Sequence, residues 1–203
     1  MSLRLDWCSH AAAKYACENW HYSKSVPYEP IIKIGVWEDE KYIGCVLFSR
    51  GACPNLGTPY GLSNIEVCEL SRIALNKHKA PVSKIMSIAI KMLRKKSPGL
   101  RLIVSFADTN QGHHGGIYQA TNWIYAGKTV VSLAYIDKKG KRWHPRNVSL
   151  SGYMEQYGVV KKCLKMSDCK KVISEGKHRY LMPLDERMKK SVMFLSLPYP
   201  KRS

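Results

Sequence analysis

Four side chains in two short segments have the types needed for proton transfer: His21 and Tyr22 in ENWHY, and Asp108 and Tyr118 at the two ends of DTNQGHHGGIY. Asp108 closes the apolar run LRLIVSFA (100–107). Its carboxylate is therefore expected at the end of a buried strand, where it can act as a general base or accept a hydrogen bond from an amine. The competing reading is an aspartate that bonds the backbone of its own turn. Tyr118 follows Gly115 and Gly116 and opens a short helical segment. A phenol there can protonate a leaving group or stack on a planar base, or be an ordinary core aromatic. Trp20, His21 and Tyr22 end a first helix as an aromatic cluster able to stack on an extruded nucleobase, although a helix-terminal histidine is more often structural. His113 and His114, with His21 or Asp108, offer imidazole and carboxylate donors for a divalent metal such as iron or zinc; adjacent histidines do not easily face one ion. In CELSR (68–72), Glu69 and Arg72 lie an odd number of positions apart. In a regular strand they point to opposite faces, one toward a site and one inward, or they form a buried ion pair that anchors the sheet.

Charge decides what such a site acts on. The chain has 203 residues, 45% of them hydrophobic, enough for a real core and too many for a disordered chain. Thirty-three lysines and arginines against 15 acids give +18 at pH 7, which points away from an enzyme of neutral metabolites and toward a polyanion. The excess is +6 over residues 1–137 and +12 over 138–203. In the latter part Lys161, Lys162, Lys165, Lys170, Lys171, Lys177, Arg179, Lys189 and Lys190 interleave with Tyr153, Tyr157, Tyr180 and Phe194. Phosphate contacts are therefore expected from Lys161, Lys162, Lys170, Lys171 and Arg179, with Trp20 and Arg72 as further DNA contacts. Seven cysteines without a CxxC pair read as free thiols. No apolar run reaches the roughly 18 residues of a membrane span and MSLRLDWCSH lacks the core of a secretory signal, so a cytoplasmic protein is expected.

The elements that must position these residues follow from pattern. HAAAKYACENW (10–20) reads as a helix capped by Ser9, and IIKIGVW (31–37) with YIGCVLF (42–48) as a hairpin across a charged turn. Residues 49–64 are rich in Gly and Pro and read as a long loop that could close over a site. VCELSRIAL (67–75) is a strand, 82–96 a helix with one apolar and one basic face, and 100–107 a central strand covered on both sides. A short helix at 117–123 and a hairpin of 129–136 with 142–150 complete the series. This order implies an α/β mixed sheet with helices on both faces and a site at the strand C-terminal ends. Two parts are expected, a catalytic domain over 1–150 and a basic C-terminal extension over 151–203.

ENWHYSKSVP (18–27), KIGVWEDEKYIGCVLFSRGA (33–52), EVCELSRIAL (66–75) and LRLIVSFADTNQGHHGGIYQATNW (100–123), with KHRYLMP (177–183) and LPYPK (197–201), closely resemble the bacteriophage Mom family of DNA-modification proteins. The resemblance implies a GNAT-like acyltransferase fold. It also implies conversion of adenine in duplex DNA to its methylcarbamoyl (acetamido) derivative at the exocyclic amine, protecting phage DNA from restriction in the host cytoplasm. By motif, His21, Tyr22, Asp108 and Tyr118 are the implied catalytic positions. The target base must be flipped from the stack; Trp20, Tyr22 and Trp123 are expected to sandwich it while the tail and the 82–96 helix hold phosphates. One departure concerns the donor. GNAT enzymes place R/QxxGxG/A before the helix that follows the fourth strand, where amides cradle the coenzyme A pyrophosphate, whereas here the connection is LNKHKAPVSK (75–84), without glycine. Acetyl-CoA and another small-molecule donor both remain open, as does a metal. The competing functions are an N-acetyltransferase for a lysine or small amine, and a basic DNA-binding protein without catalysis.

Overall fold

A computed structural model describes residues 2–156, 158–174 and 176–201. Tyr157 lies outside the described residues. In chain order the elements are β1 (Leu3–Trp7), α1 (His10–Trp20), β2 (Ile31–Glu38), β3 (Lys41–Ser49), β4 (Val67–Leu75), α2 (Val82–Lys96), β5 (Leu102–Ala107), α3 (Gly116–Gln119) and β6 (Ile124–Lys128). They continue as β7 (Ser132–Asp137), β8 (Arg142–Trp143), β9 (Val148–Ser149), β10 (Tyr153–Gln156), β11 (Val159–Lys162), β12 (Leu164–Lys165), β13 (Cys169–Ser174), β14 (His178–Pro183) and α4 (Glu186–Val192).

The chain divides into two compact units. The first comprises residues 1–107, 114–127 and 178–203; the second comprises 108–113 and 128–177. The expected division at residue 150 is corrected by β14, which hydrogen-bonds along the whole of β5 from His178↔Ala107 to Pro183↔Leu102. Arg179 and its neighbours are thus part of the main sheet.

The first unit is a seven-stranded sheet in the order β1-β2-β3-β4-β5-β14-β6. Strand β3 shows why helices cover both faces. Cys45 and Leu47 meet Ala13, Ala16 and Cys17 of α1 on one side, while Val46 and Phe48 meet Ile85, Met86, Ala89 and Leu93 of α2 on the other. Each large α2 side chain buried this way contributes about 1.5–3 kcal/mol. Ser9 caps α1 by accepting from Ala12 N–H at 3.1 Å. Helix α4 covers β5 and β14 through Met188 and Val192 packed with Leu102, Val104 and Leu181. The segment 49–64 is no open lid, because Leu56 and Leu62 are buried in that same cluster.

The second unit holds the three-stranded sheet β13-β7-β8, the ribbon β10-β11 and the short pair β12-β9. No helix in the described residues is long and apolar enough to cross a membrane.

Candidate active site

The main sheet opens between β4 and β5. These strands run parallel for three residue pairs, Val67↔Leu102 to Glu69↔Val104. Beyond Glu69, β4 continues against β3 and β5 against β14. At the point of separation Ser105 Oγ lies 2.8 Å from the Leu70 carbonyl and 2.8 Å from the Tyr118 phenol. Ser105 has one hydroxyl proton. Given to Leu70, it leaves Oγ to accept from Tyr118; rotated, it is donated to the phenol. Burial pushes the Tyr118 phenol up to about 12, against the lowering effect of Ser105, and Tyr22, Glu69 and Tyr180 raise it further. At neutral pH Tyr118 is a proton donor and no base.

Local backbone chemistry fixes that phenol. Gly115 has φ 87°, and a Cβ there would collide with the Tyr180 ring, so only glycine serves. The turn starts α3 with Tyr118 N–H donating to Gly115 O at 2.9 Å. Tyr118 then stacks on Tyr180 at 4.9 Å and meets Trp123 at 5.1 Å. Tyr180 is tied in turn, its hydroxyl donating to His114 O at 2.6 Å. Trp123 is completely buried, which removes it from the expected base sandwich: its ring is a wall of the Tyr118 site.

His21 caps the C-terminus of α1, its N–H donating to Cys17 O. The His21 and Tyr22 rings lie 4.3 Å apart, and Tyr22 is 44% exposed. Ser23 meets His21 Nδ1 twice, through its N–H at 3.1 Å and its Oγ at 2.8 Å. The turn beyond is held by Arg72, whose Nε donates to Ser25 O at 3.3 Å and Nη1 to Ser71 O at 2.6 Å. A β-bulge brings Arg72 there. Leu47 pairs with Arg72 while Phe48 pairs with Leu70, leaving Ser71 as the extra residue. Glu69 and Arg72 therefore share a face, a correction to the alternation expected of a regular strand. Trp20 packs its ring at 5.3 Å from Tyr15 and 6.0 Å from Tyr42.

Ser105, the buried partner of the Tyr118 phenol, is absent from the residues singled out by the sequence pattern. Its signal was a single hydroxyl inside the apolar run LIVSFA.

Asp108 belongs to the second unit. Its Oδ1 accepts from Asn110 N and Nδ2, each at 3.0 Å, and its Oδ2 faces Lys177 Nζ at 3.2 Å. Partial burial works against the charge, but the Asn110 bonds and Lys177 outweigh it and hold the carboxyl below its ordinary value. The turn-capping aspartate and the ionised carboxylate are thus the same side chain. Lys161 and Lys162 are exposed on β11, and Lys170 and Lys171 are exposed on β13. Arg179 is used differently from the phosphate contact expected of it: it is half-buried and its Nη2 donates to Ala126 O at 2.9 Å.

Neither proposed cofactor has a prepared cradle. Among the described residues no three His, Cys, Asp or Glu side chains gather as a metal site. In the β4–α2 connection, Lys79 N–H and Ala80 N–H donate to the carboxylate of Glu38, at 2.9 and 2.6 Å. The amides that a pyrophosphate would need in this turn already hold an anion, so the residues do not fit coenzyme A in the usual manner of this fold.

The architecture is that of the GNAT acetyltransferases. The chain resembles a Bacillus subtilis acetyltransferase in complex with CoA, with TM-score 0.52 and 13% identity over 91% of this chain and 100% of that one. A mutant form of the spermidine N-acetyltransferase SpeG from Vibrio cholerae superimposes with TM-score 0.50 and 10% identity, over 94% of this chain and 96% of its own. Within that fold the sequence is more specific. The Mom protein family matches residues 2–201, and the chain belongs to this family. The methylcarbamoylase Mom of Escherichia phage Mu is 26% identical over 207 aligned positions, 98% of this chain and 84% of that protein.

Proposed function

We propose that this protein is a transferase that places a methylcarbamoyl group on the exocyclic amine of adenine in duplex DNA. The observation that carries the reading is the protonated Tyr118 phenol held on Ser105 where the strands part, in a chain of the Mom family. The adenine amine is a poor nucleophile because its lone pair is delocalised into the ring, and it is hidden in the stack. Base flipping exposes it. Tyr22, exposed and backed by His21, offers a ring for the base to stack on.

As the amine attacks, a bond forms from the adenine nitrogen to the transferred carbon, and the bond from that carbon to the donor's leaving group breaks. Asp108, kept ionised by Asn110 and Lys177, accepts the proton lost from nitrogen. Tyr118 supplies the proton or hydrogen bond to the leaving group. His21 orients base or donor. The β10-β11 ribbon, exposed along the whole of β11, suits a DNA groove, with Lys161 and Lys162 on phosphates. Protection from host restriction, in the cytoplasm of the infected cell, follows from such a modification.

The test is mass spectrometry of nucleosides from plasmid DNA propagated with and without expression of the protein. A deoxyadenosine carrying an added acetamido mass is the expected result; unmodified nucleosides from well-expressed protein would refute it. Likeness of fold to acetyltransferases supports a second reading, N-acetylation of a small amine or lysine. That reading requires saturable acetyl-CoA binding by titration, which the Glu38-filled turn argues against.

A further inference from the structure

On one face of the sheet β13-β7-β8 Ala134 is buried and its partner Val172 half-buried, while on the other, open face Leu133 and Ile173, direct cross-strand partners, are exposed. Leu133 is 45% exposed and Ile173 72%; Val130 and Val131, just before β7, are 91% and 59% exposed. This apolar ridge stands on a unit with twelve lysines and arginines against five acids. Lys171 lies on the same open face, two residues from Ile173. So does Trp143, paired with Tyr135, with Lys141 Nζ 4.2 Å above its ring. Asp137, the acid at this edge, is occupied by Trp143 Nε1–H at 2.8 Å and by the Lys139 and Lys141 amides. Cations flanking apolar side chains complement a partner that is anionic outside and apolar within. An opened DNA duplex is such a partner.

The ridge is also wired to Asp108. Thr129, adjacent to Val130, donates its N–H to Lys177 O and accepts from Lys177 N–H, each at 2.9 Å. Lys177 is the residue whose ammonium faces Asp108, and Thr109 Oγ1 donates to Gly176 O at 3.2 Å. A Cβ on Gly176 would run into the Thr129 carbonyl, so the two segments are pressed together. Val130 and the Asp108 carboxylate are therefore joined within one hydrogen-bonded body.

We propose that Val130 and Val131, backed by the Leu133–Ile173 pair, form an apolar wedge that enters the DNA duplex at the step vacated by the target adenine and keeps that base extruded. The wedge rests on the reading of the protein as a DNA adenine transferase. Valine suits the task because it fills the gap in the stack without offering a hydrogen bond to the orphaned thymine, and its link to Lys177 fixes the gap relative to Asp108.

The experiment uses the full chain and plasmid DNA, without donor. Binding is followed by retention across a salt series and base opening by permanganate oxidation of unpaired thymines. The probe variants are Val130→Ser with Val131→Ser and, separately, Leu133→Thr with Ile173→Thr, all at exposed positions. The expected result is wild-type protein that makes thymines reactive and Val130/Val131 variants that bind within about threefold, with the same salt slope, because phosphate contacts are untouched. Their thymine reactivity falls by about tenfold or more, since the wedge no longer holds the stack apart. Variants that open thymines as well as wild type overturn the wedge, as does wild-type protein that modifies DNA without opening thymines. Wild-type protein that fails to bind DNA overturns the underlying DNA reading instead. Sedimentation of wild type as a dimer that the variants dissociate assigns the ridge to a second copy of the chain and also overturns the wedge.

Discussion

Replacing Ser105 by alanine and Tyr118 by phenylalanine should separate stability from activity in opposite orders. Ser105 Oγ is the shared partner of the Leu70 carbonyl and the Tyr118 phenol, and Ser105 and Tyr118 are buried, with 1% and 8% of their surface exposed. Ser105→Ala leaves both groups in the interior without that partner, at a cost of about 1–3 kcal/mol. For a chain of this length that lowers Tm by about 2–12 °C. Tyr118→Phe keeps the Ser105 bond to Leu70 and loses one hydroxyl interaction, about 0.5–1.5 kcal/mol. Activity should rank the other way. Ser105→Ala retains a phenol of altered direction and loses about tenfold, whereas Tyr118→Phe removes the donated proton and loses about 10²- to 10⁴-fold. Thermal melts give the first ranking, and the fraction of modified deoxyadenosine in co-expressed plasmid gives the second. Normal modification by Tyr118→Phe, or activity that merely tracks Tm in both variants, would refute the proton-donor assignment.

Asp108→Asn should abolish modification while leaving salt-dependent DNA retention intact; modification at the wild-type level removes Asp108 as base. Because Asp108 is held below its ordinary value, its ionised form and the stability of its pairing with Lys177 persist from neutral pH downward and are lost only as pH falls through the folded-state value. Lys177→Gln should therefore shift the acid limb of the pH–rate profile upward. Gly115→Ala combines a left-handed backbone with a collision against Tyr180 and should cost about 2–4 kcal/mol, read as a lower urea midpoint. Glu38→Gln weakens the bonds to the Lys79 and Ala80 amides; its carboxyl is lowered by these same amides, so the wild-type advantage in Tm should be present at pH 7 and vanish as the solution is acidified through the folded-state value.

Several elements were legible because their side-chain pattern is dictated by local geometry. The β2-β3 hairpin and α2 carry apolar stripes that only one arrangement buries. Strand β1 was not legible: LRLDW is short and lies at the sheet edge, with three of its five residues exposed. The tail misled for a related reason. HRYLMP sits in a basic stretch, yet Tyr180 and Leu181 are completely buried as β14 fills the place beside β5. The 49–64 segment has the glycines and prolines of a lid, but two leucines in it are anchored in the core. The opposition of Glu69 and Arg72 failed because one inserted residue, Ser71, changes strand parity without any sequence signal a regular alternation could show.

The residue types of the proposed site can be read from the sequence, but not what supports them. Asp108 and Tyr118 stand out by type and by the glycines between them; what gives each its protonation state lies far away in sequence, at Lys177 for one and at Ser105 and Tyr180 for the other. The same separation bears on the donor. A GNAT fold usually meets an anionic cofactor with backbone amides ahead of the helix after the fourth strand. Here Glu38, at the end of β2, supplies an internal carboxylate to those amides, which stabilises a turn lacking glycine and cancels its attraction for a phosphate. On the proposed function, donor selection falls to the side chains at the β4/β5 opening, where Tyr118 is a neutral hydrogen-bond donor. The lysines exposed on β11 and β13 remain open to solvent, as the proposed DNA contacts require.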